Sequence, residues 1–146
     1  MALHLLDVNA LIALGWDAHQ HHDSMVAWFN RHAESGWATC AITQSGFIRV
    51  MNQPGLAKPA RAVADLAEAL QQNLRHPAHR LLPLDFGFDD VLARCSGGVV
   101  GHRQVTDAYL LTAAMRAGMK LLTFDSGLNS LLASDTERAA HVEVLS

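Results

Sequence analysis

Short apolar runs, each stopped by a polar residue and separated by stretches of helical periodicity, constrain this chain more than any other feature of its sequence. Leu3–Leu6 ("LHLL") reads as a short buried strand that ends at Asp7. Val8–Leu14 fits a helix that starts at once, with Asp7 or Asn9 near its first turn. Met25, Val26, Trp28 and Phe29 repeat at helical spacing within a predicted helix over His22–Glu34. Ala38–Ile42 reads as a second strand. Thr43 then caps a helix through Phe47, Val50 and Met51, which "NQPG" at Asn52–Gly55 stops. Pro59–Leu74 is predicted helical, with Pro59 at its start and Val63, Leu66 and Leu70 on one face. His79–Asp85 is a third strand, demoted toward an edge by Pro83. Phe86–Arg94 is a short helix, and Gly97, Gly98 and Gly101 make a loop. Thr106–Gly118 is a helix with Ala108, Leu111, Ala114 and Met115 inward and Gly118 closing it. Lys120–Asp125 is a strand, Ser126–Leu132 a short helix and His141–Leu145 a last strand.

Strands that alternate with helices imply a parallel sheet covered on both faces, with right-handed crossovers. The chain has 146 residues, half of them hydrophobic and 17% charged, which suits one domain over 1–146 with a sizeable core. No apolar run is long enough to span a bilayer, and the first residues lack the basic flank and cleavage site of a signal peptide. The expected location is therefore the cytoplasm, with no membrane partner. Cys40 and Cys95 form no CxxC and no disulfide framework, and are expected reduced and packed. A net charge of −3 does not advertise a nucleic-acid binder, though it leaves room for a local basic patch.

In such sheets ligands bind beyond the carboxyl ends of the strands. Asp7 follows the first strand and Asp125 follows "LLTF", so both belong to that edge. Asp107, in "QVTDAYLL", opens a helix whose N-terminus should face it. Each acid alone reads as a helix cap favoured by the macrodipole. Together they would repel: at about 4 Å and an effective dielectric near 20, each pair costs roughly 4 kcal/mol. A proton or a cation must compensate, and a hard divalent ion such as Mg²⁺ suits carboxylate oxygens.

The motifs "LLDVNALIAL", "ITQSGFIRV", "VTDAYLLTAA" and "LLTFDSGL" together resemble the PIN-domain family, most closely its VapC-type toxin ribonucleases. They fall in the family's order and span nearly the whole chain. The resemblance implies a three-layer α/β/α sandwich around a central, mainly parallel sheet. It also implies an endoribonuclease dependent on Mg²⁺ or Mn²⁺, a cognate protein antitoxin, and a homodimer. Asp7, Asp107 and Asp125 match the family's acidic positions and would be the metal ligands and catalytic acids. Asn9 matches the polar position after the first acid, and is expected to contact substrate.

One position departs from the pattern. Gln44 stands where the second motif usually carries Glu. Its amide can orient water or ligate through oxygen, yet it brings no charge, so one ion on Asp7 and Asp107 is expected rather than two. Thr106 and Thr123 neighbour two of the acids, and each reads equally as a packed or capping residue. Thr106 and Arg103 are carried forward as substrate contacts. Arg49, Lys58 and Lys120 are further phosphate candidates, with a solvated surface the plainer reading for Lys120. In "DAHQHH" the trio Asp17, His19 and His22 invites zinc, but no further ligand pair stands nearby, and His22 reads as a helix-start residue. His102 reads as a loop histidine. Trp16, Trp28 and Trp37 are core candidates, or else line an antitoxin groove or a dimer seam.

Two other functions compete. A non-catalytic PIN-like module that only binds a partner is kept alive by Gln44. A receiver-type phosphoacceptor domain also clusters aspartates at a sheet edge. It would show an acidic pair after the first strand and a lysine after the last; here Asp7 stands alone and no lysine follows "HVEVL", although Asp85 follows the third strand.

Overall fold

A computed structural model describes residues 3–146. Five parallel strands form the sheet: β1 (Leu3–Leu6), β2 (Trp37–Thr39), β3 (His79–Leu81), β4 (Met119–Thr123) and β5 (Val142–Val144), in the order β3-β2-β1-β4-β5. This is the predicted α/β/α sandwich. The central pair runs in register from Leu3↔Met119 to Leu6↔Leu122. Side chains alternate across the pleat, so each central strand supplies both faces. Leu5 and Leu121 enter one core with Leu110, Leu111 and Ala114 of α6 (Val105–Arg116) and Val91 of α5 (Phe88–Arg94). Leu6 and Leu122 enter the other. There they meet α1 (Val8–Gly15), α2 (His22–His32), α3 (Ala41–Met51) and α4 (Val63–Leu74), through Leu11, Trp28, Phe47 and Leu66 among others.

Several predicted boundaries shift, each for a local reason. The second strand ends at Thr39 instead of Ile42. Cys40 is the extended cap residue of α3: its N–H donates to Thr43 Oγ1 at 2.9 Å, and that hydroxyl lies 3.1 Å from the Cys40 carbonyl. Thr43 does cap this helix, from inside its first turn rather than before it. The fourth helix starts at Val63, not Pro59. Residues 59–62 are drawn off by tertiary contacts instead. Asn52 Nδ2 donates to the Arg61 carbonyl at 2.6 Å, and the Arg61 guanidinium lies over Trp16, 5.6 Å from the ring centroid. α2 stops at His32 and continues as a 3-10 turn over Ala33–Ser35. β3 is a short edge strand that ends ahead of Pro83.

Gly118 closes α6 with φ +69°, a conformation that favours glycine. A 3-10 turn covers Ser126–Leu131. A further helix, α7 (Asp135–His141), occupies a stretch for which no helix is predicted. Its signal is in the sequence: "SDTE" is the Ser-x-x-Glu pattern of a helix start, and Ser134 Oγ accepts from the Glu137 N–H at 3.2 Å. Cys40 and Cys95 are free and buried, as expected. Among the described residues no helix is long and apolar enough to cross a membrane.

Candidate active site

The in-register pairing of β1 and β4 delivers Asp7 and Thr123 side by side at the carboxyl edge of the sheet. The Asp7 N–H donates to the Leu122 carbonyl at 2.9 Å, continuing the ladder one residue beyond β1. Asp7 is only 5% exposed. Its carboxylate accepts from the Val8 N–H at 2.7 Å, as the cap of α1, and from the Thr123 hydroxyl at 2.8 Å.

That hydroxyl is the hub of the edge. A threonine hydroxyl has one proton to give and two lone pairs to fill. Here the proton goes to Asp7 Oδ2. The lone pairs take Asn9 Nδ2 at 3.1 Å and the Asp125 N–H at 3.0 Å. Asn9 Oδ1 in turn accepts from the Phe124 N–H at 3.1 Å. Asn9 thus fastens the end of β4 to the start of α1 with both ends of its amide. Thr123 carries more of the site than its sequence position suggested.

Asp125 stands exposed just past β4, its Oδ1 accepting from the Gly127 N–H at 2.8 Å. Asp107 lies half-buried in the first turn of α6. No described residue gives its carboxylate a hydrogen bond or an ion pair. The three acids nonetheless share one field. Burial pushes the Asp107 pKa up to about 6, helped by the negative charges of Asp7 and Asp125. Burial also raises the Asp7 carboxyl; the Thr123 and Val8 hydrogen bonds oppose this, and the charge of Asp125 adds to it. Like charges and desolvation work together here, and no basic side chain is among the groups that set either value.

Hard oxygen donors, mutual repulsion and an unpartnered carboxylate suit a divalent cation. The acids are near enough to perturb one another, yet they are not drawn into a tight ligand shell. Among the described residues no three His, Cys, Asp or Glu side chains stand in ready ligating positions. The same holds for Asp17, His19 and His22, so the zinc trio is not assembled. His22 opens α2, and its Nδ1 pairs with the Ala13 carbonyl at 2.7 Å.

The remaining predicted residues divide. Thr106 and Arg49 share a groove of about 350 Å³ with Val8, Ile42, Ser45 and Gly46, directly beside the chain neighbours of Asp7 and Asp107. Arg103 and His102 are exposed on a 3-10 turn, His102–Gln104, leading into α6. Gln44 Nε2 donates to Thr39 Oγ1 at 2.9 Å, at the end of β2, and that hydroxyl lies 2.8 Å from His79 Nε2. Lys120 is near the start of β4, opposite His4, at the far end of the strand from the acids. Lys58 is exposed on the segment before α4. Trp28 and Trp37 are buried in the core, and Trp16 is partly exposed.

The PIN domain family model matches residues 4–131. The chain is 46% identical over 129 residues to Ribonuclease VapC38 of Mycobacterium tuberculosis H37Rv, covering 87% of this chain and 88% of the relative. It is 38% identical over 145 residues to Ribonuclease VapC39 of the same organism, covering 97% and 98%. Among solved structures, that of VapBC2 from Rickettsia felis bound to a DNA fragment from its promoter matches 99% of both chains with a TM-score of 0.64 at 12% identity, which is a likeness of fold.

Proposed function

The chain belongs to the PIN domain family, with relatives named ribonuclease VapC, and from that premise we propose that it is the ribonuclease toxin of a toxin–antitoxin pair, hydrolysing RNA phosphodiester bonds at Asp7, Asp107 and Asp125. The observation that carries the proposal is electrostatic. Residues far apart in sequence meet closely enough that burial and the charges of Asp7 and Asp125 lift Asp107 to about 6. A protein that only needed to fold would not keep three uncompensated acids at one edge.

Asp7, Asp107 and Asp125 would hold the Mg²⁺ or Mn²⁺ that the reading calls for. Bound there, the ion supplies positive charge for the acids and the phosphate, and makes a water nucleophilic near neutral pH. The chain's own residues do the rest. Thr123 and Asn9 fix Asp7 against β4, so the carboxylate presents one orientation. Asp107 has no hydrogen-bond or ion-pair partner among the described residues, which leaves its carboxylate oxygens free for the ion. Asp125 closes the acidic edge. Arg49 and Thr106, in the adjoining groove, are placed to take phosphate oxygens of the strand, with Arg103 at its approach. The reading includes a cognate protein antitoxin, a homodimer and a cytoplasmic location.

The receiver alternative is set aside by the family. The binding-module alternative draws on Gln44, which brings no charge where the pattern has Glu and spends its amide on Thr39. Cleavage separates the two. The proposal expects Mg²⁺-dependent RNA cleavage that Asp7→Asn or Asp107→Asn reduces at least a hundredfold in folded protein. A wild-type chain that binds partner but leaves RNA intact at every divalent ion favours the binding module.

A further inference from the structure

A row of rings leads away from the acids. Phe124 lies between Thr123 and Asp125 in the chain, and its N–H is held by Asn9. The His21 imidazole stacks on its ring, with centroids 4.6 Å apart and planes 9° from parallel. His19 follows at 5.8 Å from His21, and Trp16 at 5.9 Å from His19. The Arg61 guanidinium lies over Trp16 and ends the row. These groups come from three separate places: the end of β4, the loop between α1 and α2, and the segment before α4. All five are partly exposed.

Knitting the α1–α2 loop to β4 explains that the groups touch. His19 Nδ1 also accepts from the His21 N–H at 3.0 Å, which accounts for one imidazole nitrogen but not for the aromatic faces of the row. Half-exposed aromatic and imidazole rings in a row, ending in a guanidinium, are what a single strand of nucleic acid uses: rings for its bases, cations for its phosphates. The row also starts at the reacting edge. Trp16 and Arg61 also line a groove of about 670 Å³, whose other walls include Phe47, Met51 and Leu66 with Asp17 and Asp65.

We propose that the strip Phe124–His21–His19–Trp16–Arg61 binds a single-stranded segment of RNA to one side of the scissile phosphate. The proposal rests on the nuclease reading of the acids and extends it to the form of substrate: unpaired bases, splayed onto rings, over several nucleotides.

Trp28 and Trp37 are buried, so Trp16 is the tryptophan that bound bases can reach. The test uses the full chain in EDTA, where no cleavage intervenes, with an unstructured fluorescein-labelled RNA 12-mer followed by anisotropy and by tryptophan quenching. The double variant His19→Ala/His21→Ala should weaken binding roughly tenfold. His19→Phe/His21→Phe keeps the rings and should bind within threefold of wild type, which guards against a folding artefact. Trp16→Leu should abolish most of the quench. Arg61→Gln should reduce the salt slope of log K by about one phosphate contact. An RNA affinity and quench unaltered by the alanine variant overturn the proposal. So does a variant whose RNA affinity holds while its affinity for an antitoxin chain falls, which would assign the strip to protein recognition. Because binding is read without cleavage, an Asp7→Asn chain that cleaves as before faults the nuclease reading alone and leaves this result standing.

Discussion

Replacing Asp107 by Asn should stabilise the metal-free protein above pH 6 and leave it unchanged below pH 4. In the folded chain the Asp107 carboxyl titrates at about 6, against 3.8 for an ordinary aspartate. Between those values the folded state holds a proton that the unfolded state has released. Stability therefore falls as pH rises through this window, and the full penalty stands above it. Two pH units correspond to a ceiling of about 3 kcal/mol. The side chain is only half-buried, so solvent and salt screen the repulsion, and we expect about 1 kcal/mol. For a chain of this size that is roughly 2–4 °C in melting temperature. Asparagine keeps the shape and cannot ionise. Thermal melts of both proteins in EDTA at pH 4, 5, 6, 7 and 8 should diverge only above pH 4 and plateau beyond 6. His4, His19 and His79 have pKa values pushed down, chiefly by burial, and cost stability in the opposite direction, as pH falls below 6.5. They are common to both proteins and cancel in the difference. Mg²⁺ at pH 7.5 should then raise the wild-type melting temperature and move the Asn variant much less. A difference that is flat across pH, or an Asn variant less stable than wild type at pH 7.5 in EDTA, would refute the shared field of the three acids.

Thr123→Val should cost about 2–3 kcal/mol in denaturant unfolding, because it strips partners from Asp7 Oδ2, Asn9 Nδ2 and the Asp125 N–H together, while Thr123→Ser should recover most of it. Gly46→Ala should lower RNA cleavage more than its cost of about 1–3 kcal/mol in overpacking suggests. The new Cβ would stand 2.7 Å from Val8 Cγ2, pushing on the residue next to Asp7; unchanged cleavage speaks against that coupling. His4 is buried between β5 and α2, its Nε2 2.9 Å from Glu143 Oε1 and its Nδ1 without a partner. Burial lowers the pKa of this imidazole against the opposing pull of Glu143, so ring-proton NMR should find it titrating below 6.5, and His4→Phe should flatten the loss of stability below pH 6.5; a His4 that titrates at 6.5 or above denies it.

The sequence carried the layers and the acids but not the groups that hold the acids in place, and the division follows from range. β1 and β4 are legible because an apolar run that ends in a carboxylate is a local pattern, and Asp7 and Asp125 stand where it stops. The early end of β2 and late start of α4 were not, because each depends on a competing contact. Thr43 draws Cys40 into a cap, and Asn52 and Trp16 hold the segment around Arg61. α7 is legible from its Ser134–Glu137 start alone, because a helix with no buried residue leaves no apolar periodicity to mark it. Thr123 is different in kind. Nothing in "LLTFD" tells a packed strand threonine from one that serves an acid. The distinction is made by the register Leu6↔Leu122, which sets its hydroxyl beside a carboxylate 116 positions away.

The same reasoning applies to Gln44 and to the ring row. From the motif alone Gln44 is a missing charge at the metal site. In the fold its amide faces Thr39, so the substitution changes what β2 and β3 are tied to as well as what the acids lack. Asn9 and Thr123 hold the end of β4 to the start of α1. Phe124 sits in that clasp through its backbone and in the ring row through its side chain. A strand of RNA that stacks along His21 and Phe124 would therefore press on the same turn that positions Asp7 and Asp125. On that proposal, substrate binding and the geometry of the acids would be linked through Phe124.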